Sequence, residues 1–254
     1  MQLKLTITGA LLFVAVLLSA QRFREHPQPE EARNKGNAIL THLEFGAYTP
    51  GGDLAHRFGQ NGGIGLGGEW ISANNLILGV EGHFYFGSKV KEDPLAILRT
   101  AEGDLIGNNQ SLASVPLHQR GWYAGGLIGK LVTFGDRRSG LRVTLGAGLA
   151  QHKIRVQDDQ GVMTQLTGEY AKGYDRLTGG LALEQFVGWQ KLGKNRRANF
   201  MIGFEFNQGF THTLRDWDFN DRRKLDGQRL DLRFGIRAAW TIPFYIGGAD
   251  NIYY

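Results

Sequence analysis

The stretch Gln228–Phe244, QRLDLRFGIRAAWTIPF, alternates between apolar side chains and charged or small ones over almost its whole length. The apolar phase comprises Leu230, Leu232, Phe234, Ile236, Ala238, Trp240, Ile242 and Phe244. The other phase comprises Asp231, Arg233, Gly235, Arg237, Ala239 and Thr241. Because successive side chains of a β-strand point to opposite faces, the stretch predicts a strand with one apolar and one charged face.

Seven other segments are also strand-like: Ile39–Ala47, Asn61–Ile71, Leu76–Gly87, Gly121–Thr133, Leu141–Val156, Tyr174–Leu192 and Ala198–Thr211. In most of them charges recur in mid-strand, on the phase opposite to the apolar one. A soluble sandwich has no need of this arrangement, but a barrel with lipid outside and a polar lumen inside requires it. The sequence therefore predicts an all-β fold, an eight-stranded antiparallel up-and-down transmembrane β-barrel over residues 39–244.

The predicted connections alternate between long and short. The long ones are Tyr48–Gln60, Ser88–Arg120, Gln157–Gly173 and His212–Gly227, and the short ones are Ser72–Asn75, Phe134–Gly140 and Gly193–Arg197. A barrel with both termini in the periplasm has long extracellular loops and short periplasmic turns. The alternation therefore supports the same fold.

The N-terminal segment Met1–Ala20 has Lys4 near its start and an apolar run at Leu11–Leu18, which predicts a secretory signal peptide. Residues 21–38 are polar and charged and are expected to form a disordered periplasmic lead-in, and residues 245–254 a short C-terminal tail. The chain has no cysteine, which excludes disulfides and a lipid-bearing thiol. We expect an exported protein of the outer membrane.

The net charge of +5 is too small to indicate nucleic-acid binding. An exported basic protein meets anionic lipid first, so the expected partners are outer-membrane lipid and lipopolysaccharide, together with a protein of an envelope complex. The glycine-rich segment Gly62–Gly68 opens no helix and is followed by no lysine, so it does not predict a phosphate loop. We expect no cofactor.

The inward phases of the predicted strands hold both signs of charge: Glu44, Glu69, Glu81, Lys130, Arg142, Glu184, Glu205, Asp231, Arg233 and Arg237. His42 and His83 lie on the same phases. An eight-stranded barrel is only wide enough for side chains to fill, and buried opposite charges pair. These residues therefore predict an ion-pair network that closes the lumen, with a proton pathway or an active site as the alternatives.

In strand number, loop alternation and charged interior, the chain resembles the small outer-membrane barrels of the OmpA and OmpX type. The segments Arg215–Phe219, Gln228–Leu232 and Thr241–Tyr245 are also similar to uncharacterised outer-membrane barrels of the Bacteroidota. The resemblance implies the barrel fold and its location, and it implies no activity.

Some small barrels are enzymes, and two groups of residues in this sequence have side chains suited to catalysis. Asp158, Asp159, His152, His212, Asp216 and Asp218 suggest an outer-membrane protease, and Ser111, Ser114 and His118 suggest a lipid-modifying enzyme. Neither group has a spacing that singles it out, so no catalytic or metal-binding residue is predicted.

The expected function is that of a non-enzymatic barrel acting as an anchor, scaffold or accessory subunit of an envelope complex for secretion, assembly or adhesion. The alternatives are a lipid-modifying or proteolytic barrel enzyme and a narrow pore. The predicted contact surface is the last long loop, through Arg215, Trp217, Phe219, Arg222, Arg223 and Lys224. Aromatic residues and arginines are enriched at interface hot spots. The alternative is that its aromatic residues pack within the loop.

Overall fold

In a computed structural model that describes residues 36–134, 138–193 and 199–246, eight antiparallel strands close into a barrel. The barrel strands are β1 (Asn37–Gly51), β2 (Asn61–Ile71), β3 (Leu76–Gly87), β6 (Leu117–Thr133), β7 (Ser139–Val156), β8 (Thr178–Lys191), β9 (Phe200–Thr213) and β10 (Arg229–Ile246). The connections contain the helix α1 (Gly52–Arg57), the short hairpin β4 (Leu105–Ile106) and β5 (Leu112–Ala113), and 3-10 turns at Ala96–Leu98, Thr164–Leu166 and Tyr170–Gly173.

Each barrel strand pairs with the barrel strands before and after it in the chain, and β10 pairs with β1 to close the ring. The predicted fold class is confirmed. The first strand is longer than Ile39–Ala47, because Tyr48 to Gly51 continue to pair with β10. Strand β8 begins at Thr178 rather than at Tyr174, because Tyr174 packs among the loops.

The predicted signal peptide, residues 21–35 of the predicted lead-in and residues 247–254 of the predicted tail lie outside the described residues. They stay predictions. In the described ranges no helix is long and apolar enough to cross a membrane.

Burial in β10 follows the alternation of its sequence. Phe234 and Ile236 are exposed on the outer wall, whereas Asp231, Arg233 and Arg237 are buried in the lumen. The other strands share this arrangement, and their large apolar side chains are exposed, as at Leu78, Val80, Leu145, Leu181 and Phe204. A polar interior inside an apolar wall is the reverse of a soluble sandwich, and the lipid of a bilayer is the medium that suits it.

The periplasmic end of the lumen is closed by an apolar cluster. Its members come from several strands and from the residue after β8, and they are Ala38, Leu40, Ile71, Ile77, Leu127, Leu131 and Leu192. Burying these side chains removes them from water, and it places a dry layer below the charged part of the interior.

The extracellular end is covered by the four long loops, residues 52–60, 88–116, 157–177 and 214–228, which together are called the cap. Apolar side chains of the last three loops form one cluster of Leu95, Leu105, Val115, Met163 and Tyr174, against which Phe219 packs. In the first loop, Leu54 and Phe58 form a separate cluster with Ile154. Backbone contacts also join different loops, since Asn108 donates to the carbonyl of Val162 at 2.8 Å. The loops therefore fold on one another rather than extending separately into solvent.

Candidate functional site

The centre of the lumen is built around Arg237, which is 0 % exposed. Its Nη1 donates to Glu184 Oε1 at 2.9 Å, to Glu81 Oε2 at 3.1 Å and to Glu44 Oε2 at 3.2 Å. Its Nε lies 3.4 Å from Glu205 Oε2. One guanidinium from β10 thus faces carboxylates from four other strands, which fixes these side chains together in the middle of the barrel.

Aromatic rings pack around this central cluster. The hydroxyl of Tyr48 donates to Glu205 Oε2 at 3.1 Å, and the Arg237 Cζ lies 4.6 Å from the centre of the Phe186 ring. A Cβ at Gly46 or Gly235 would overlap the Tyr48 ring, so glycine at both positions makes room for it. Sequence reasoning missed Tyr48, because it placed this residue in a loop.

A second cluster lies around Arg142 on β7. Its Nη1 donates to Glu69 Oε1 at 2.6 Å and its Nη2 to Glu69 Oε2 at 2.5 Å, which is the bidentate geometry of a strong arginine–carboxylate pair. His42 Nε2 lies 2.9 Å from the same Glu69 Oε1, and its Nδ1 lies 2.9 Å from Thr241 Oγ1. In this cluster Glu69 thus pairs with Arg142 and lies beside the ring of His42.

A third cluster lies beneath the cap. Asp231 Oδ2 accepts a hydrogen bond from Thr211 Oγ1 at 2.5 Å and lies 2.8 Å from His152 Nε2. Arg229 Nη2 lies 3.4 Å from the other carboxylate oxygen of Asp231. Phe58 packs edge-on against the His152 ring, with 5.6 Å between the ring centres. The cap residue Phe58 thus covers this cluster from above.

Arg233 is buried and stacks on Tyr85, with its Cζ 3.6 Å from the ring centre. No ion pair of Arg233 with a carboxylate is found in the described part of the chain. Arg142 and Arg237 are each paired with carboxylates, whereas Arg233 makes a cation–π contact with the ring face of Tyr85.

Lys130 is wrongly placed by the sequence prediction, because its side chain is exposed on the outer wall. It pairs with Leu76 and Val143 near the periplasmic end of β6. A lysine at this depth can lay its alkyl chain along the apolar wall and reach the head groups with its ammonium. The remaining predicted residues do line the lumen, so the buried carboxylates there are Glu44, Glu69, Glu81, Glu184, Glu205 and Asp231, and the buried guanidiniums are Arg142, Arg233 and Arg237.

Three ligand atoms of Glu44, Glu81 and His83 lie within 4.8 Å of one another, a spacing that could hold a metal ion. Arg237 Nη1 occupies the position among them, at 3.2 Å from Glu44, 3.1 Å from Glu81 and 3.1 Å from His83 Nε2. The cation that this group binds is the guanidinium of the chain itself.

These clusters, with the apolar layer below and the cap above, predict a barrel that does not conduct ions. Purified protein reconstituted in planar bilayers should show no steady conductance, because Arg237 and its carboxylates fill the cross-section of an eight-stranded barrel. The measurement is single-channel recording at several voltages. Large, stable channels from the unmodified protein would contradict the closed lumen.

Ion pairs of the buried residues Arg176 and Arg57 join the loops of the cap. Arg176 contacts Glu92, Asp221 at 2.9 Å and Asp218 at 3.2 Å, so it links three loops. Arg57 Nε lies 2.6 Å from the same Glu92, and burial lowers the pKa of Arg57 while Glu92 acts in the opposite direction. The network holds the loops in one arrangement.

The six residues predicted for contact in the last loop divide into two groups. Arg215 donates from Nε to Asp175 Oδ1 at 2.9 Å, and the Phe219 ring packs edge-on against Tyr174 with 5.4 Å between ring centres. Arg215 and Phe219 therefore stabilise the cap through contacts with another of its loops. The side chains that remain exposed are Trp217, Arg222, Arg223 and Lys224.

Several of the residues considered for catalysis contact other groups of the protein. His152 is buried in the lumen beside Asp231, Asp158 accepts from the backbone nitrogen of Met163 at 2.9 Å, and Asp218 pairs with Arg176. Ser111 donates to Asn109 Oδ1 at 2.7 Å within its loop, whereas His118 lies on β6. No nucleophile, base and orienting group come together among these residues in the described structure.

Neither a protein-family model nor a curated protein sequence matches the chain. Solved barrels are similar to it in part. Neisserial surface protein A is 11% identical, with 82% of this chain and 99% of that chain covered and a TM-score of 0.43. Ail of Yersinia pestis is 13% identical, with coverage of 82% and 99% and a TM-score of 0.37.

The N-terminal β-barrel domain of Pseudomonas aeruginosa OprF is 12% identical, with 78% of this chain and 97% of that chain covered and a TM-score of 0.31. The fold and location of the chain rest on its own closed ring of eight strands, its apolar outer wall and its long loops at one end. With these features the chain has the architecture of the small outer-membrane β-barrels of the OmpA and OmpX type.

Proposed function

We propose that this protein is a non-enzymatic anchor, a closed barrel that holds a folded cap outside the membrane as a contact surface for a protein of an envelope complex. The observation that carries the proposal is the cap, in which the ion pairs of Arg176 and a shared apolar cluster join loops 88–116, 157–177 and 214–228. The ion pair of Arg57 with Glu92 links the fourth loop, residues 52–60, to them. A preorganised surface loses little conformational entropy on binding, which favours a contact role.

The arrangement of the lumen supports the same role. Its charges are held by partners within the barrel, as at Arg142 and Arg237, and its periplasmic end is apolar. An interior of this kind stabilises the barrel and provides no wide path for a solute. We therefore expect the protein to contact other molecules through its outer surface rather than through its lumen.

The proposed contact surface is the exposed part of the last loop: Trp217, Arg222, Arg223 and Lys224. Trp217 is 52% exposed and lies in a loop that Asp218 and Arg223 pin by backbone hydrogen bonds in both directions. A large aromatic side chain on a fixed turn, with cations beside it, has the composition of an interface hot spot. Its partner is expected to offer an apolar pocket rimmed by carboxylates.

Replacing Trp217 with alanine should abolish co-purification of the partner from outer membranes, because a central aromatic side chain contributes about 2 kcal/mol or more to an interface. The measurement is affinity purification of the tagged protein, followed by quantification of the proteins recovered with it. The matched control is Tyr170→Ala, which removes another exposed aromatic residue, at 64% exposure, from a different loop of the cap.

Both variants should retain the gel shift between boiled and unboiled protein, which reports the intact barrel. If the triple variant Trp217→Ala, Arg222→Ala, Arg223→Ala recovers the partner as well as the unmodified protein does, the last loop is not the contact surface. If no protein is recovered with the unmodified chain from cross-linked cells, the anchor proposal itself is wrong.

A further inference from the structure

A group of basic side chains lies on the outer wall of the barrel, at the extracellular ends of β6 and β7. It consists of His118, Arg120, Lys153 and Arg155, and it is called the basic wall. Arg120 is directly opposite Lys153, and His118 is directly opposite Arg155. The like charges of Arg120 and Lys153, facing each other across a strand pair, are unfavourable unless an anion lies between or above them.

The part of the protein that the structure describes supplies no such anion to the basic wall. In the described ranges, no ion pair joins Arg120, Lys153 or Arg155 to a carboxylate. Arg120 makes a hydrogen bond from Nη1 to the carbonyl oxygen of Gln119 at 2.7 Å, which leaves other donors of the guanidinium free. By contrast, the cap cations Arg176 and Arg215 are paired with carboxylates. The basic wall thus keeps its charge available to a ligand.

Its height on the barrel identifies the kind of ligand. On the same outward phases, Trp122 and Gln151 come next below Arg120 and Lys153, and Trp122 Nε1 donates to Gln151 Oε1 at 2.9 Å. Tryptophan concentrates at the boundary between lipid and head group. Arg120 and Lys153 lie two residues further along their tilted strands, which is about 5 Å above Trp122 and Gln151. This height places the two cations among the head groups of the outer leaflet.

Below Trp122 the wall is apolar and partly small. Ala124 and Gly126 lie on the outward phase of β6, opposite Leu149 and Ala147 of β7. These short side chains leave a shallow strip between the larger side chains Leu145, Leu149 and Val80, which are exposed. A hydrocarbon chain that descends from a head group bound above can pack along this strip.

We propose that the basic wall binds the phosphates of lipopolysaccharide, with the acyl chains of the same molecule on the apolar strip below Trp122. Arginine suits this role because its planar guanidinium matches phosphate oxygens in a bidentate manner, and lysine adds a compact second charge. The inference rests on the membrane-embedded barrel and does not depend on the partner of the cap. It assigns the lipid contact to β6 and β7.

The test uses the double variant Arg120→Gln, Lys153→Gln. Its matched control is Lys130→Gln, Lys191→Gln, which also removes two exposed cations from the wall, but at the opposite rim. Purified full-length proteins in detergent are titrated with bisphosphorylated lipid A, and bound lipid is counted by native mass spectrometry. The basic-wall variant should bind lipid A at least about tenfold more weakly, a loss of roughly 1.4 kcal/mol, and the control should bind it as the unmodified protein does.

Two further probes identify the source of the phosphate. Dephosphorylated lipid A should bind the unmodified protein and the basic-wall variant equally weakly, and inorganic phosphate alone should not bind at millimolar concentration. Equal affinity of the basic-wall variant and the unmodified protein for lipid A would overturn the proposal. Binding of inorganic phosphate as tight as that of lipid A would also overturn it, because the ligand would then be a soluble anion. The Trp217→Ala variant should bind lipid A normally, so failure of the cap proposal is distinguishable from failure of this one.

Discussion

Replacing Arg237 with alanine should lower the free energy of unfolding by about 3–5 kcal/mol, the loss expected when one partner of a buried charge cluster is removed. The guanidinium lies within 3.4 Å of carboxylates from Glu44, Glu81, Glu184 and Glu205, and all of them are buried. Without it, these carboxylates repel one another in a medium that does not solvate them. The measurement is urea unfolding in detergent, followed by tryptophan fluorescence.

A second substitution, Glu205→Gln, tests whether unpaired charge causes the loss of stability in Arg237→Ala. Adding Glu205→Gln to Arg237→Ala should recover part of the lost stability, because it removes one of the unpaired charges and keeps the shape of the side chain. The control Lys130→Ala removes an exposed cation and should change stability by less than about 0.5 kcal/mol. If Arg237→Ala unfolds at the same urea concentration as the control, the central cluster does not stabilise the barrel.

Replacing Arg176 with alanine should loosen the cap without unfolding the barrel. Arg176 is buried and contacts Glu92, Asp218 and Asp221, and its loss leaves these three carboxylates without the cation that joins their loops. The expected loss of local stability is about 3 kcal/mol. Limited proteolysis of the protein in detergent should then cut residues 88–116 and 157–177 much faster than in the unmodified protein.

The matched control for the cap is Lys172→Ala, since Lys172 forms an exposed pair with Glu169 in the same loop at 2.5 Å. Exposed pairs of this kind contribute little, so its cleavage rate should stay close to that of the unmodified protein. An Arg176→Ala variant as resistant as this control would show that the apolar cluster alone holds the loops. Retention of the gel shift in both variants would show that the barrel is intact.

The fold could be predicted from the sequence because lipid and lumen impose opposite chemistry on the two faces of each strand. In β10 the apolar phase is exposed and Asp231, Arg233 and Arg237 are buried, as the alternation predicts. The phase is harder to assign in β6, where Gly121, Gly125, Gly126 and Gly129 fall on both faces. Lys130 was therefore assigned to the wrong side.

The cap could not be predicted, because its contacts join residues far apart in the chain. Arg215 pairs with Asp175, which lies 40 residues earlier, and Ile97 donates from its backbone to Asn220, which lies 123 residues later. The composition of a loop does not distinguish an arginine that binds a partner from an arginine that stabilises the loop itself. The same holds for Tyr48, whose position in β1 is decided by its pairing with Gly235 of β10.

The central cluster also bears on how the protein is assembled. Its cation belongs to β10, the last barrel strand in chain order, whereas its carboxylates belong to β1, β3, β8 and β9. Until β10 is in place between β9 and β1, the sheet is open and the carboxylates have no arginine at their centre. Sealing the seam and neutralising the interior are thus a single event. A sheet inserted without β10 has neither a closed seam nor a neutralised interior. The last step of assembly is therefore expected to be cooperative, and a partly assembled barrel is expected to be unstable.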